Sequence, residues 1–73
     1  MKKTFLLAGL DCPNCAAEIE RNVRAIDGVI DASVSFITTK MTIEATETQM
    51  EEVVKKAKKI ARRVEHDVDI REI

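Results

Sequence analysis

The 73 residues make one domain, spanning 1–73: single domains mostly run to about 100–150 residues, and a second core would not fit. Twelve basic and thirteen acidic residues leave a net charge of −1, so bulk charge recruits neither nucleic acid nor an anionic membrane. With 45% apolar and 34% charged residues the chain is balanced for a small folded core, and no apolar run approaches the roughly 20 residues that cross a bilayer.

Two lysines ahead of Phe5–Leu10 imitate a signal peptide, but that stretch falls short of the roughly 7–15 apolar residues of a secretory segment, and Asp11 interrupts it with no small-x-small cleavage site. Lys3 to Ala8 is better read as a buried strand stopped by Gly9. From Cys15 the spacing becomes helical: Ile19, Val23 and Ile26 fall at i, i+4 and i+7, Pro13 suits the first turn, and Asp27-Gly28 ends the helix. Ala32, Val34 and Phe36 then alternate with polar residues, as do Met41, Ile43 and Ala45, and Ile37 to Lys40 allows a tight reversal between two strands. Thr48-Gln49-Met50-Glu51 matches a capping box at the head of a second helix. Its apolar stripe runs from Met50 through Val53, Ala57 and Ala61 to Val64, with glutamates at the start and Lys/Arg near the end, as the helix dipole prefers. Val68 and Ile70 alternate with Asp69 and Arg71 as a last strand.

The predicted order is β-α-β-β-α-β, a ferredoxin-like α+β sandwich: a four-stranded antiparallel sheet in spatial order 4-1-3-2 with two helices on one face. In that topology the end of the first strand, the hairpin near Ile37 and Thr38 and the start of the fourth strand share one edge. Glu65, His66 and Asp67 are therefore expected beside Asp11 to Cys15.

Cys12 and Cys15 are two residues apart, too close to staple distant parts of the chain, so this is no disulfide scaffold. Cys15 is expected near a helix N-terminus, where partial positive charge favours thiolate. Two thiolates at this spacing converge on one soft or borderline cation and leave its shell incomplete, which suits a site that passes metal on. Rival readings are a thiol–disulfide oxidoreductase, since Cys-Pro-x-Cys at a strand-to-helix turn also serves redox chemistry; a structural zinc site, which needs four ligands where no second Cys or His pair exists; and inert thiols, disfavoured by the polar loop.

Gly9-Leu10-Asp11-Cys12-Pro13-Asn14-Cys15-Ala16-Ala17 resembles the G-M-x-C-x-x-C segment of heavy-metal-associated domains, found as small metallochaperones and as amino-terminal domains of P-type heavy-metal-exporting ATPases. Val23, Gly28, Val29 and the alternating strand after them extend the likeness over nearly the whole chain. It implies that Cys12 and Cys15 bind metal and pass it to a partner by ligand exchange. Leu10 stands where that family usually has Met, a packing position. Copper-type members usually carry an uncharged residue before the first cysteine, whereas Asp11 resembles the zinc, cadmium and lead branch.

Charge balance favours the same branch. Cu(I) between two thiolates is already negative and content with two soft ligands, while a divalent ion is neutral there and still accepts a hard carboxylate. Two unit charges about 4 Å apart are worth roughly 4 kcal/mol at an effective dielectric of about 20, and even a third of that is about tenfold in affinity. Asp11 is also a natural helix cap or turn residue. Glu65 is a second carboxylate candidate, because divalent members of the family can draw a ligand from the loop before the last strand. His66, the only histidine, is a zinc ligand in principle but better suits the dipole at a helix C-terminus, and Asp67 faces solvent. The basic run Lys55, Lys56, Lys58, Lys59, Arg62 and Arg63 reads as a solvated helix face or a docking patch for an acidic domain. RNA binding is disfavoured, since the strand Met41 to Ala45 offers no aromatic for base stacking.

The expectation is therefore a monomeric, non-enzymatic, cytoplasmic-facing domain that carries Zn(II), Cd(II) or Pb(II), with copper(I) secondary, on Cys12, Cys15, Asp11 and Glu65. It would be either a free chaperone or the leading domain of a transporter, meeting that transporter's membrane metal site or other cytosolic domains, with no nucleic acid and no membrane insertion.

Overall fold

Alternating and helical patterns resolve into six elements in the computed structural model, which describes residues 1–73. They are β1 (Lys2–Ala8), α1 (Pro13–Arg24), β2 (Val29–Ser35), β3 (Lys40–Ala45), α2 (Glu47–Val64) and β4 (Asp69–Glu72). The sheet runs β2-β3-β1-β4 with every neighbour antiparallel. That is the predicted ferredoxin-like order read from the opposite edge.

Register aligns the core. Val34 pairs with Met41 and Met41 with Phe5, while Leu7 pairs with Ile70, so apolar side chains fall in rows on one face of the sheet. Phe5, Leu7, Met41 and Ile43 are almost wholly buried there, against Ile19 and Val23 of α1 and Met50, Val53, Ala57 and Ala61 of α2. Each large side chain so buried contributes about 1.5–3 kcal/mol. The other face is polar, with Lys2 paired to Glu44 at 3.9 Å and Arg71 to Asp69 at 2.7 Å. Arg24 fastens α1 to the edge strand: its Nε donates to the Ala32 carbonyl at 2.6 Å while its guanidinium faces Glu20 and Asp31.

Several boundaries differ from the sequence reading. The helix starting at Thr48 in that reading begins earlier, at Glu47, with Thr46 as N-cap. Thr48 and Glu51 lie inside the first turns and form no capping box; the Thr46 hydroxyl sits 3.4 Å from that of Thr48 and takes no backbone N–H. α1 stops at Arg24, before Asp27, and Ile26 packs half-buried beyond its end. Gly28, at φ +99°, turns the chain into β2, with the Gln49 side chain filling the space a Cβ would need. Phe36 leaves the strand: it opens the turn of residues 36–39 and is 38% exposed, because the reversal starts before the alternation ends.

Candidate metal centre

The loop between β1 and α1 is held at three points. Gly9 adopts φ +89°, and a Cβ there would come within 3.1 Å of the Asp67 carbonyl, so glycine lets the turn after α2 press against this loop. Leu10 is buried, and its N–H donates to the Leu7 carbonyl at 3.3 Å. Cys12 then caps α1 in extended geometry (φ −127°, ψ 116°), Pro13 starts the helix, and the Ala16 N–H donates to the Cys12 carbonyl at 3.1 Å. Pro13 loses nothing there, because the first helical N–H groups have no partner within the helix.

A sulfur does the work usually given to a hydroxyl or carboxylate. The Cys15 N–H donates to Cys12 Sγ at 3.4 Å, and no acidic residue occupies the first turn of α1. The cap is therefore Cys12, not Asp11, whose side chain is exposed. Electrostatics follow the geometry. The Cys15 backbone N–H, then the Cys15 thiol, hold the Cys12 thiol below its ordinary range, while desolvation and, less strongly, the charge of Asp11 work against them. Cys15 is pushed up to about 11, first because it donates its proton to Cys12, then by desolvation and by the charges of Cys12, Glu65 and Glu18. The expectation of a favoured thiolate at Cys15 is corrected: the helix terminus stabilises the sulfur that accepts its N–H, and that sulfur is Cys12.

The two cysteines are free thiols, both partly buried, joined by the one Cys15 N–H to Cys12 Sγ bond. Glu65 caps the end of α2, donating its N–H to the Ala61 carbonyl at 2.9 Å, and is half-buried near enough for its charge to act on Cys15. The predicted shared edge is thus present. His66 and Asp67 are exposed in the turn that follows. The hairpin turn joins the same end, with the Leu7 N–H donating to the Thr39 carbonyl at 2.7 Å. No three His, Cys, Asp or Glu side chains are gathered into a ready metal cage. The charge of Asp11 acts on Cys12 and that of Glu65 on Cys15. Glu18 also acts on Cys15; the sequence reading missed it, although its i+3 spacing from Cys15 on α1 was the available signal.

This arrangement offers one readily ionised sulfur, a second that surrenders its proton to a competing cation, and carboxylates within electrostatic reach. That chemistry suits a soft or borderline metal ion.

The family of heavy-metal-associated domains matches residues 4–68. The "Cadmium, zinc and cobalt-transporting ATPase" of Bacillus subtilis (strain 168) is 32% identical over 99% of this chain and 10% of its own length. The "Probable copper-importing P-type ATPase A" of Enterococcus hirae is 34% identical over 80% of this chain and 8% of its own. The chain thus spans about a tenth or less of the length of the curated relatives it matches. Among solved structures, the yeast copper transporter domain CCC2A superposes with a TM-score of 0.76 at 19% identity, covering 99% of this chain and 93% of that one. That likeness supports the fold.

Proposed function

The chain belongs to the heavy-metal-associated domain family, and we propose that it carries a divalent soft or borderline ion, Zn(II), Cd(II) or Pb(II), as cargo on Cys12 and Cys15. The observation that carries the reading is the thiol pair at the mouth of α1, where Cys12 Sγ accepts the Cys15 N–H and both thiols are free. Asp11 and Glu65 supply hard oxygen donors that complete the shell of an M(II) ion once it has drawn both thiolates together. A two-sulfur site with exchangeable oxygen donors releases its ion to a partner by ligand exchange, which is what a carrier requires. In this reading the domain faces the cytoplasm, catalyses nothing itself, and works as a monomer. It serves a heavy-metal P-type ATPase or acts as a chaperone to one, with that transporter's membrane metal site or other cytosolic domains as the receiver.

A copper(I) reading is the second one, favoured by the Enterococcus hirae relative, whose name describes a copper importer. The residue that separates the two is Asp11. In equilibrium competition against chelators under reducing conditions, Asp11→Ala should weaken Zn(II) and Cd(II) about tenfold and leave Cu(I) nearly unchanged. Equal losses for all three ions, or none, would remove Asp11 from the shell and return the site to the copper reading. Glu65→Gln should move the cadmium-113 resonance of the loaded domain; an unmoved resonance would strike Glu65 from the ligand set.

A further inference from the structure

Six cations fall within residues 55–63 of α2 in a chain whose net charge is −1, so the remainder of the chain carries −7. Two of the six are answered locally: Lys55 faces Glu51 at 3.9 Å and Lys56 faces Glu52 at 3.8 Å. Lys58, Lys59, Arg62 and Arg63 are exposed and have no carboxylate partner. A run of helix cations is ordinarily just a solvated face. Here it borders a concavity. Between α2 and the turn leaving α1 lies a groove of about 400 Å³, floored by Ala25, Ile26 and Ile60 and edged by Lys56, Lys59 and Arg63, with Asp27 its one acidic residue. The groove continues past Val64.

We propose that this groove docks an acidic amphipathic segment of a partner protein, one apolar side chain entering between Ile26 and Ile60 and carboxylates meeting Lys59 and Arg63. Charge complementarity selects an acidic occupant, and the apolar floor selects a protein segment over other polyanions. A lipid bilayer is disfavoured because the apolar stripe of α2 is spent on the core and has none left to insert. Single-stranded RNA would need exposed aromatics; Phe5 is buried and Phe36 lies in the turn of residues 36–39. The groove is built on the C-terminal end of α1, about ten residues and so about 15 Å along the helix from Cys15. A docked partner therefore leaves both thiols free, and the inference holds whichever ion they carry.

The test is a nitrogen-15 NMR titration of the intact domain with a synthetic helical peptide of Glu on one face and Leu on the other. Two controls accompany it: the same peptide with Lys for Glu, and phosphatidylglycerol vesicles. The account expects shifts centred on Ile26, Ile60 and Arg63, affinity falling at least tenfold from low to high salt, and a further tenfold loss in Lys59→Glu/Arg63→Glu. Lys58→Glu/Arg62→Glu, off the groove, should lose clearly less. Retained cadmium binding in both variants reports an intact fold; should either variant unfold, the wild-type shift map and its salt dependence decide alone. No shifts at the groove, equal binding of the Lys peptide, or vesicles that perturb these residues where the acidic peptide does not would overturn the proposal.

Discussion

The two helices begin in opposite ways. α2 starts at Thr46 with no side-chain cap and is held by what it buries, the stripe Met50, Val53, Ala57 and Ala61. α1 is shorter, buries Ala16, Ile19 and Val23, and spends its N-terminus on a sulfur: Cys12 Sγ accepts the N–H that a Ser or Asp would otherwise take. Packing makes a cap dispensable at one terminus. At the other, the cap is the chemistry, and the helix dipole acts on a thiol instead of merely closing a turn.

Exchanging the cap should separate these roles most sharply. Cys12→Ser keeps an oxygen at a favoured N-cap position, so the fold should persist with an unchanged melting curve. Cadmium affinity should fall by more than about a hundredfold, since even the partners of metal ligands are worth about 10–100-fold. Retained tight binding would show that Cys12 is not a ligand. The reverse dissociation belongs to α2: Met50→Ala should cost about 2–5 kcal/mol in urea unfolding while the folded fraction still binds cadmium with wild-type stoichiometry.

Titration is the intermediate case. Thiolate absorbance should rise in two steps that belong to the pair, the first below the ordinary 9.0 of a free thiol and the second near 11. An ion that needs both thiolates displaces two protons below the first step, one between the steps and none above the second. Its affinity therefore climbs with pH through neutrality and flattens toward pH 11. Glu65→Gln, by removing a negative charge near Cys15, should bring the second step down. A single step, or a second step unmoved, would mean the thiols or the carboxylate stand farther apart than described. The smallest effect is at the other cap: Thr46→Ala should change stability by no more than about 0.5 kcal/mol, because no cap bond is lost.

The strands, the helices, their order and the meeting of the α2–β4 turn with the cysteine loop were legible because they rest on periodicity and topology. Val53, Ala57 and Ala61 fall on one face by spacing alone, whereas the register that sets Phe5 against Met41 came only from the fold. Where a pattern stops is harder to read. Thr48 and Glu51 spell a capping box, yet Thr46 takes the extended backbone conformation that defines the cap, and a spelling does not encode dihedrals. Phe36 continues an alternation that the turn cuts short. At the site, residue types identified both cysteines, but which sulfur ionises first depends on which one accepts an N–H, a matter of orientation within one turn. Glu18 was overlooked because it reads as one more solvated helix charge, and only its effect on Cys15 sets it apart.

X-ray absorption on the zinc-loaded, reduced domain tests the metal centre most directly. The account predicts two sulfur neighbours at about 2.3 Å with oxygen neighbours at about 2.0–2.2 Å, the oxygen shell altered in Asp11→Ala. A shell of three or four sulfurs, or one with no sulfur, would contradict it.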